Sequence, residues 1–312
     1  MITGPTASGK TDVSVNVAER LGGEIVSADS MQIYKGLDVT TAKPDSHALS
    51  AVPHHLIGII EQKDSFSVRD YVTRAAETIQ DINRRGRLPV ITGGTGLYID
   101  TLVSGIKFSE IAADYDYRSS LEQRDGGELL TELAKTDPEY AAVMHPNNKK
   151  RIIRAMEVYR QSGMTMSEHI KASKPEDTPY DLCPICIEYD DRDRLYQRIN
   201  TRVDMMIASG MLDEVERALQ GEMSHSFRQA IGLKELEGYF AGEKDLNSCI
   251  EEIKKNTRNY AKRQLTWFRR NKDMTRIYAD RCRGIEEIAN KVVDLALSVT
   301  PSPSCPLRHA KA

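Results

Sequence analysis

The chain has 312 residues, 40% hydrophobic and 29% charged, with a formal net charge of −3. Such proportions belong to an ordinary globular protein with room for one large domain or two smaller ones, and they exclude a chain coated in positive charge. No stretch approaches the ~18 apolar residues of a membrane span and no basic, apolar leader opens the chain, so a cytoplasmic protein without membrane attachment is expected.

Met1-Ile2-Thr3 reads as a very short strand, and "GPTASGKT" follows it at 4–11. The spacing G-x-x-x-x-G-K-[ST] marks a phosphate loop. Gly4, Pro5, Thr6, Ala7, Ser8 and Gly9 let the backbone curl its N–H groups inward at an anion. Lys10 adds a point charge, and Thr11 adds a hydroxyl suited to Mg²⁺. A helix from Lys10 to Leu21 contributes its positive N-terminal end. "EIVSA" (24–28) then reads as a buried strand ending at Asp29, and "HLIGII" (55–60) as another. Ser67 to Asp70 has the form of a capping box opening a helix to about Arg85. "RLPVIT" (87–92) is a strand, and Gly93-Gly94-Thr95-Gly96 a tight turn into the next helix. Alternating strands and helices imply an α/β fold with a parallel sheet, whose ligands collect at the carboxyl ends of its strands. The phosphate loop, Asp29-Ser30 and Gly93–Gly96 all fall there.

From 112 to 182 the strand signal vanishes. Helices are expected over 117–135, 138–144 and 149–162, followed by a linker at 171–181, so 112–182 reads as a helical insertion. The core is then 1–111 with 183–299. "LCPICIEY" (182–189) restores strand character, later segments are mostly helical, and "TRIYA" (275–279) is a returning strand. The tail 300–312 is expected to be disordered. Five cysteines form no framework, and Cys183-x-x-Cys186 is a lone pair, short of the about four ligands zinc takes, so reduced thiols are expected. Charge is uneven. Lys254 to Lys272 holds eight Lys or Arg and no acid, Lys149 to Arg160 holds five against Glu157, and the remainder carries −15. Basic faces of this kind suit a polyanion.

A phosphate loop usually serves a nucleoside triphosphate, with an Asp at the end of a later strand for the metal. Here "RLPVIT" ends in Gly-Gly-Thr-Gly instead, and the strand-end Asp near the loop is Asp29. Held by a metal, Asp29 suits a kinase; free to act as a base, it lets the loop hold a departing diphosphate. The words "GPTASGKT", "GGEIVSADSMQIYKGLDVTTAKP", "VPHHLI", "RLPVITGGTGLYI", "RIIRAMEVYRQSG", "QAIGLKEL" and "AKRQLTWFRR" decide between them. Together, from about residue 2 to 271, they resemble the tRNA dimethylallyltransferase (isopentenyltransferase) family. The resemblance implies a P-loop NTPase-like core with a helical insertion. It also implies transfer of a dimethylallyl group from dimethylallyl diphosphate to N6 of the adenosine 3′ of the anticodon, with Mg²⁺.

On that resemblance Asp29 takes the proton from the attacking amine, and Thr95 lies near the acceptor and the leaving group. The alternative for Asp29 is a strand-end carboxylate capping a local turn, and by spacing alone Thr95 could equally be a helix N-cap. The same resemblance sets Asp29, Ser30, Met31 and Gln32, Arg118, and the run Lys150, Arg151, Ile152, Ile153 and Arg154 against the tRNA, though the match at Arg118 is weaker. The insertion would grip the anticodon stem-loop while the core holds the donor and a flipped-out adenine. The protein is expected to act as a monomer. Trp267 and the other aromatics of the basic run could stack on bases, but helical spacing favours the core for Trp267. Two departures stand out: Gly58 where the family commonly has Asp, and Thr40 where Gly is usual. Competing readings are a small-molecule kinase, a prenyltransferase of free adenine nucleotides and a non-enzymatic RNA-binding protein. The two basic segments favour a macromolecular acceptor, and the complete phosphate loop favours an enzyme.

Overall fold

The computed structural model describes residues 1–105, 114–173 and 178–299. The chain divides into two compact units, Met1–Val103 with Tyr180–Ala312, and Ser104–Pro179. The tail expected to be disordered, 300–312, lies outside the described residues, as does part of the expected linker (174–177).

The first unit is an α/β fold built on six parallel strands: β1 (Ile2–Thr3), β2 (Gly23–Ser27), β3 (His54–His55), β4 (Leu88–Gly93), β5 (Ile185–Glu188) and β6 (Thr275–Tyr278). Their order across the sheet is β3-β2-β4-β1-β5-β6. Parallel neighbours need crossovers, and helices supply them. In the N-terminal half these are α1 (Lys10–Leu21), α2 (Ser46–Ala51), α3 (Val68–Arg84) and α4 (Gly96–Val103). The capping box opening α3 is present, with Ser67 accepting from the Asp70 amide and Asp70 from the Ser67 amide. The strand expected over 55–60 is only β3. Leu56 and Gly58 adopt φ of 62° and 60°, which turns the chain out of the sheet. The apolar signal there reflects burial of Leu56 and Ile60 rather than an extended backbone.

In the second unit the described elements are α5 (Tyr115–Glu122), α6 (Gly126–Thr136), α7 (Pro138–Ala142), α8 (Lys149–Ser162) and α9 (Met166–Ser173). Leu121, Leu129, Leu133, Ile152, Ile153 and Met156 form its core. The helix expected over 117–135 is two helices. Asp125 accepts from the Gly127 and Glu128 amides and so caps a new start. Gly126 presses on the Pro146 carbonyl, where a Cβ would come within 2.4 Å. Lys171–Ser173, expected in the linker, close α9.

The first unit ends with α10 (Arg192–Ala208), α11 (Met211–Leu219), α12 (Leu233–Phe240), α13 (Leu246–Phe268) and α14 (Ile285–Ser298). Adjacent strand residues face opposite ways, so Ile25 and Val26 enter different cores. Ile25, Val90 and Ile187 pack with Val13 and Val17 of α1 and Val292 of α14. Val26, Ile91 and Cys186 pack with Ile79 and Ile82 of α3 and Phe268 of α13. Helices α10 and α13 run antiparallel. Lys262 lies 5.5 Å from the Tyr196 ring, Arg258 donates to Asn200 at 2.6 Å, and Lys254 pairs with Asp204 at 2.8 Å. Residue numbers rise on one helix as they fall on the other.

Candidate active site

The phosphate loop leaves β1 at the centre of the sheet and enters α1. Gly4, at φ 143°, passes so close to β5 that a Cβ would meet the Ile187 carbonyl oxygen at 2.1 Å. Ala7 is left-handed at φ 63°, which costs a residue with a Cβ about 1 kcal/mol. The fold holds it there, because Arg198 Nε of α10 donates to the Ala7 carbonyl at 3.0 Å. Gln264 of α13 clamps the loop from the other helix: its Oε1 accepts from the Thr6 amide at 2.9 Å. Its Nε2 donates to the Gly94 carbonyl, also at 2.9 Å. A single side chain thus joins the phosphate loop to the Gly93–Gly96 turn. Trp267, one turn on, is half-buried rather than fully in the core. Its ring lies against Gly96, its Nε1 donates to Asp100 at 2.8 Å, and the Arg270 guanidinium sits 4.0 Å from the ring centroid.

These elements enclose a cavity of about 290 Å³ lined by Thr6, Lys10, Thr11, Asp29 to Gln32 and residues of α10 and α13. Lys10, Arg202 and Arg263 bring cations to it, and Asp29 is the carboxylate among its lining residues. Lys10 Nζ donates to the Pro5 carbonyl at 3.0 Å. Burial, and then the nearby Arg202, pull the Lys10 pKa down to about 8 against the opposing pull of Asp29. Burial also lowers Arg202, while Asp29 draws it back up. Tyr260 is pushed up by burial and by the Asp29 charge.

Asp29 does cap a local turn. Its Oδ1 accepts from the Met31 and Gln32 amides at 2.9 and 3.2 Å, and the residue still lines the cavity. Thr95 does not cap its own helix. Its hydroxyl accepts from the Ser30 amide at 3.0 Å and lies 3.3 Å from the Ser30 hydroxyl, which locks the two strand-end turns together. Ser30, Met31 and Gln32 line the cavity, and Gln32 also donates its amide nitrogen to the Thr41 and Ala42 carbonyls. Both sequence departures have physical partners. Thr40 is buried, and its amide and hydroxyl both donate to Glu214 of α11, whose carboxylate also accepts from the Asp38 and Val39 amides. Gly58 sits in the left-handed region, which aspartate also tolerates.

In the second unit Arg118 and Arg154 both pair with Glu157, a fully buried carboxylate that also accepts from the Asp114 amide. Burial pushes Glu157 up, but the two guanidiniums outweigh it and hold the carboxyl low. Lys150 and Arg151 are exposed on α8. Ile152 and Ile153 are 0% and 3% exposed and their side chains belong to the core of this unit: a run on a helix cannot point five consecutive residues one way. The basic run 254–272 is also less bare than its sequence. Lys254 pairs with Asp204 and Glu251, Arg269 with Glu188 and Arg270 with Asp100.

Arg198, Arg202, Arg263, Gln264 and Glu214 carry roles that sequence reading did not single out. The two arginines of α10 stand at i and i+4 beside Ile199 and Val203, a signal indistinguishable from an ordinary amphipathic helix.

Comparison with known proteins shows what the chain is similar to. The family model described as IPP transferase matches residues 32–271. A tRNA dimethylallyltransferase of Bacillus subtilis is 47% identical over 280 residues, 88% of each chain. One from Caldanaerobacter subterraneus is 42% identical over 301 residues, 94% of this chain and 96% of that one. Among solved structures, a full-length tRNA isopentenylpyrophosphate transferase of Bacillus halodurans superposes with a TM-score of 0.69 at 39% identity, covering 99% of this chain and 96% of that one. A eukaryotic dimethylallyltransferase described as acting on tRNA gives a TM-score of 0.74 at 29% identity, over 86% and 68%.

Proposed function

We propose that this chain, which belongs to the IPP transferase family, transfers a dimethylallyl group from dimethylallyl diphosphate to N6 of the adenosine 3′ of the anticodon in tRNA, releasing diphosphate. The observation that carries this reading is the cavity. Residues of the phosphate loop, three cations and one carboxylate line it together with apolar side chains such as Val203, Met206, Met211 and Ile253 and with several hydroxyls and amides. A diphosphate ester of a small alkene needs that combination.

The adenine amine attacks C1 of the prenyl chain. The C1–O bond breaks with its electron pair leaving on the diphosphate, and the C–N bond forms. The amine is a poor nucleophile because its lone pair is delocalised into the purine. A carboxylate placed to take its proton is worth typically ~10²–10⁴-fold, and Asp29 takes that role. The two amides on its Oδ1 fix its orientation, and Thr95 fixes the turn beside it. Loop amides, Lys10, Arg202 and Arg263 would meet the charge that develops on the leaving group. Mg²⁺ fits this donor set. It takes few protein ligands where substrate phosphates complete its shell. The lining offers Thr11 and Asp29, with no cluster of three metal-ligating side chains among the described residues. Thr11 would hold the ion, which supplies countercharge to the diphosphate. Lys150 and Arg151 give the insertion exposed cations for tRNA phosphates, and Arg118 and Arg154 stand beside them on Glu157. The protein is then a cytoplasmic monomer; no described helix is long and apolar enough to cross a membrane.

Purified protein given Mg²⁺ and labelled dimethylallyl diphosphate is expected to label tRNA and to leave free AMP unlabelled. Equal labelling of AMP would replace the tRNA acceptor with an adenine nucleotide, and ATP hydrolysis without prenyl transfer would make the site a kinase's.

A further inference from the structure

The cavity has a direction. Helix α10 touches the phosphate loop through Arg198 and presents Arg202, Val203 and Met206 to the cavity in sequence. At 1.5 Å per residue, Met206 lies about 12 Å along the axis from Arg198. Helix α13 runs the other way, from Gln264 on the loop through Tyr260 and Thr257 to Ile253, about 16 Å distant. Each helix therefore holds the loop with a polar side chain at one end, Arg198 or Gln264, and brings an apolar one, Met206 or Ile253, to the cavity at the other, with Ile199 also lining it beside Arg198. Val203, Met206, Met211, Ala230, Ile231 and Ile253 are among its apolar lining residues.

That end has a rigid stop. Met211 is 1% exposed, and its methyl lies so close to Gly232 that a Cβ there would meet it at 2.1 Å. The Thr40 methyl presses on the same point at 2.9 Å. Neither can retreat freely, because Glu214, one turn after Met211, binds the Thr40 amide and hydroxyl at 2.7 and 2.6 Å. The departure at Thr40 thus adds a methyl and the hydrogen bond of its hydroxyl to the wall. Protein interiors do not give way to an extra group without displacing neighbours.

We infer that Met206 and Met211, backed by Thr40 and Gly232, form an end wall that limits the donor to a five-carbon prenyl chain and shuts out the ten-carbon geranyl chain. This rests on the prenyl-transfer reading above and adds the residues that select the donor's length. The diphosphate sits on the loop in either donor, so length is read at the apolar end alone. A pocket discriminates by about 10–200-fold per methylene that it cannot accommodate. Five extra carbons therefore imply a preference of at least ~100-fold.

The test is transfer of label to tRNA from radiolabelled dimethylallyl and geranyl diphosphates, by the wild type and by Met211→Ala and Met206→Ala, with thermal unfolding recorded for each. The wild type is expected to favour dimethylallyl by at least ~100-fold in kcat/KM. Either truncation is expected to raise the geranyl-to-dimethylallyl ratio about tenfold or more. Met206 is only partly buried, so Met206→Ala carries the test should Met211→Ala fail to fold. A wild type that accepts both donors equally, or folded variants whose preference is unchanged, would overturn the end wall while leaving prenyl transfer intact. A wild type that transfers neither would remove the prenyl reading and this inference with it.

Discussion

Lys10 is a buried amine with a pKa near 8. A diphosphate beside it favours the charged form, so donor binding draws in a proton whenever the free amine has lost one. The sign follows. Below pH 8 the ammonium is already present, and affinity should change little on this account. Above pH 8 each bound donor must restore a proton, and the dissociation constant should rise toward about tenfold per pH unit. Titration of dimethylallyl diphosphate by calorimetry between about pH 7 and pH 9.5 would show this, and Lys10→Met should bind more weakly with a flatter profile. Asp29 shows why residue-level reading left two roles open. Turn capping and proton abstraction both call for a short carboxylate at a strand end, and here one side chain occupies the position for both.

The link between β2 and α3 rests on Glu24, 4% exposed, bound by Arg85 and by His55 at 2.8 Å. The Arg85 hydrogen bonds, partly opposed by burial, bring its carboxyl from the usual 4.5 down to about 2. A depressed carboxyl stabilises the fold above its unfolded pKa and loses that contribution as pH falls through the folded one. The window is therefore about pH 4.5 to 2, and the amount on the order of 3 kcal/mol. Urea unfolding at pH 7 and pH 3 should show the wild type losing more stability on acidification than Glu24→Gln, which is weaker at neutral pH. Strands β2, β4 and β6 and helices α1 and α8 could be read from sequence because hydrophobic period, caps and glycine stops agree there. The break at Asp125 and the turn at Leu56 could not, because each depends on a contact or a backbone angle that composition does not encode. The same limit hid Gln264 and Arg202. Both take their roles from what lies across the cavity, 170 or more residues away in sequence.

Across the molecule, charge along the sequence and charge in space differ. Arg270 and Arg269 belong to an uninterrupted basic run, yet Asp100 and Glu188 stand against them. Lys150 and Arg151 are exposed on α8. Phosphate contacts release counterions, and each adds about one to the slope of log affinity against log salt. Filter binding of tRNA over a salt series should show Lys150→Ala and Arg151→Ala each lowering that slope by about one, and Arg270→Ala by less. A wild-type affinity indifferent to salt would remove the polyanion-binding role from these faces.

The central claim is that the phosphate loop holds a diphosphate leaving group while Asp29 takes the acceptor's proton. Single-turnover transfer to tRNA by Asp29→Asn, with donor affinity measured on the same preparation, tests it most directly. The account predicts a rate lower by ~10²–10⁴-fold with donor affinity within about threefold of the wild type. An undiminished rate, or a loss of donor binding as large as the loss of rate, would contradict it.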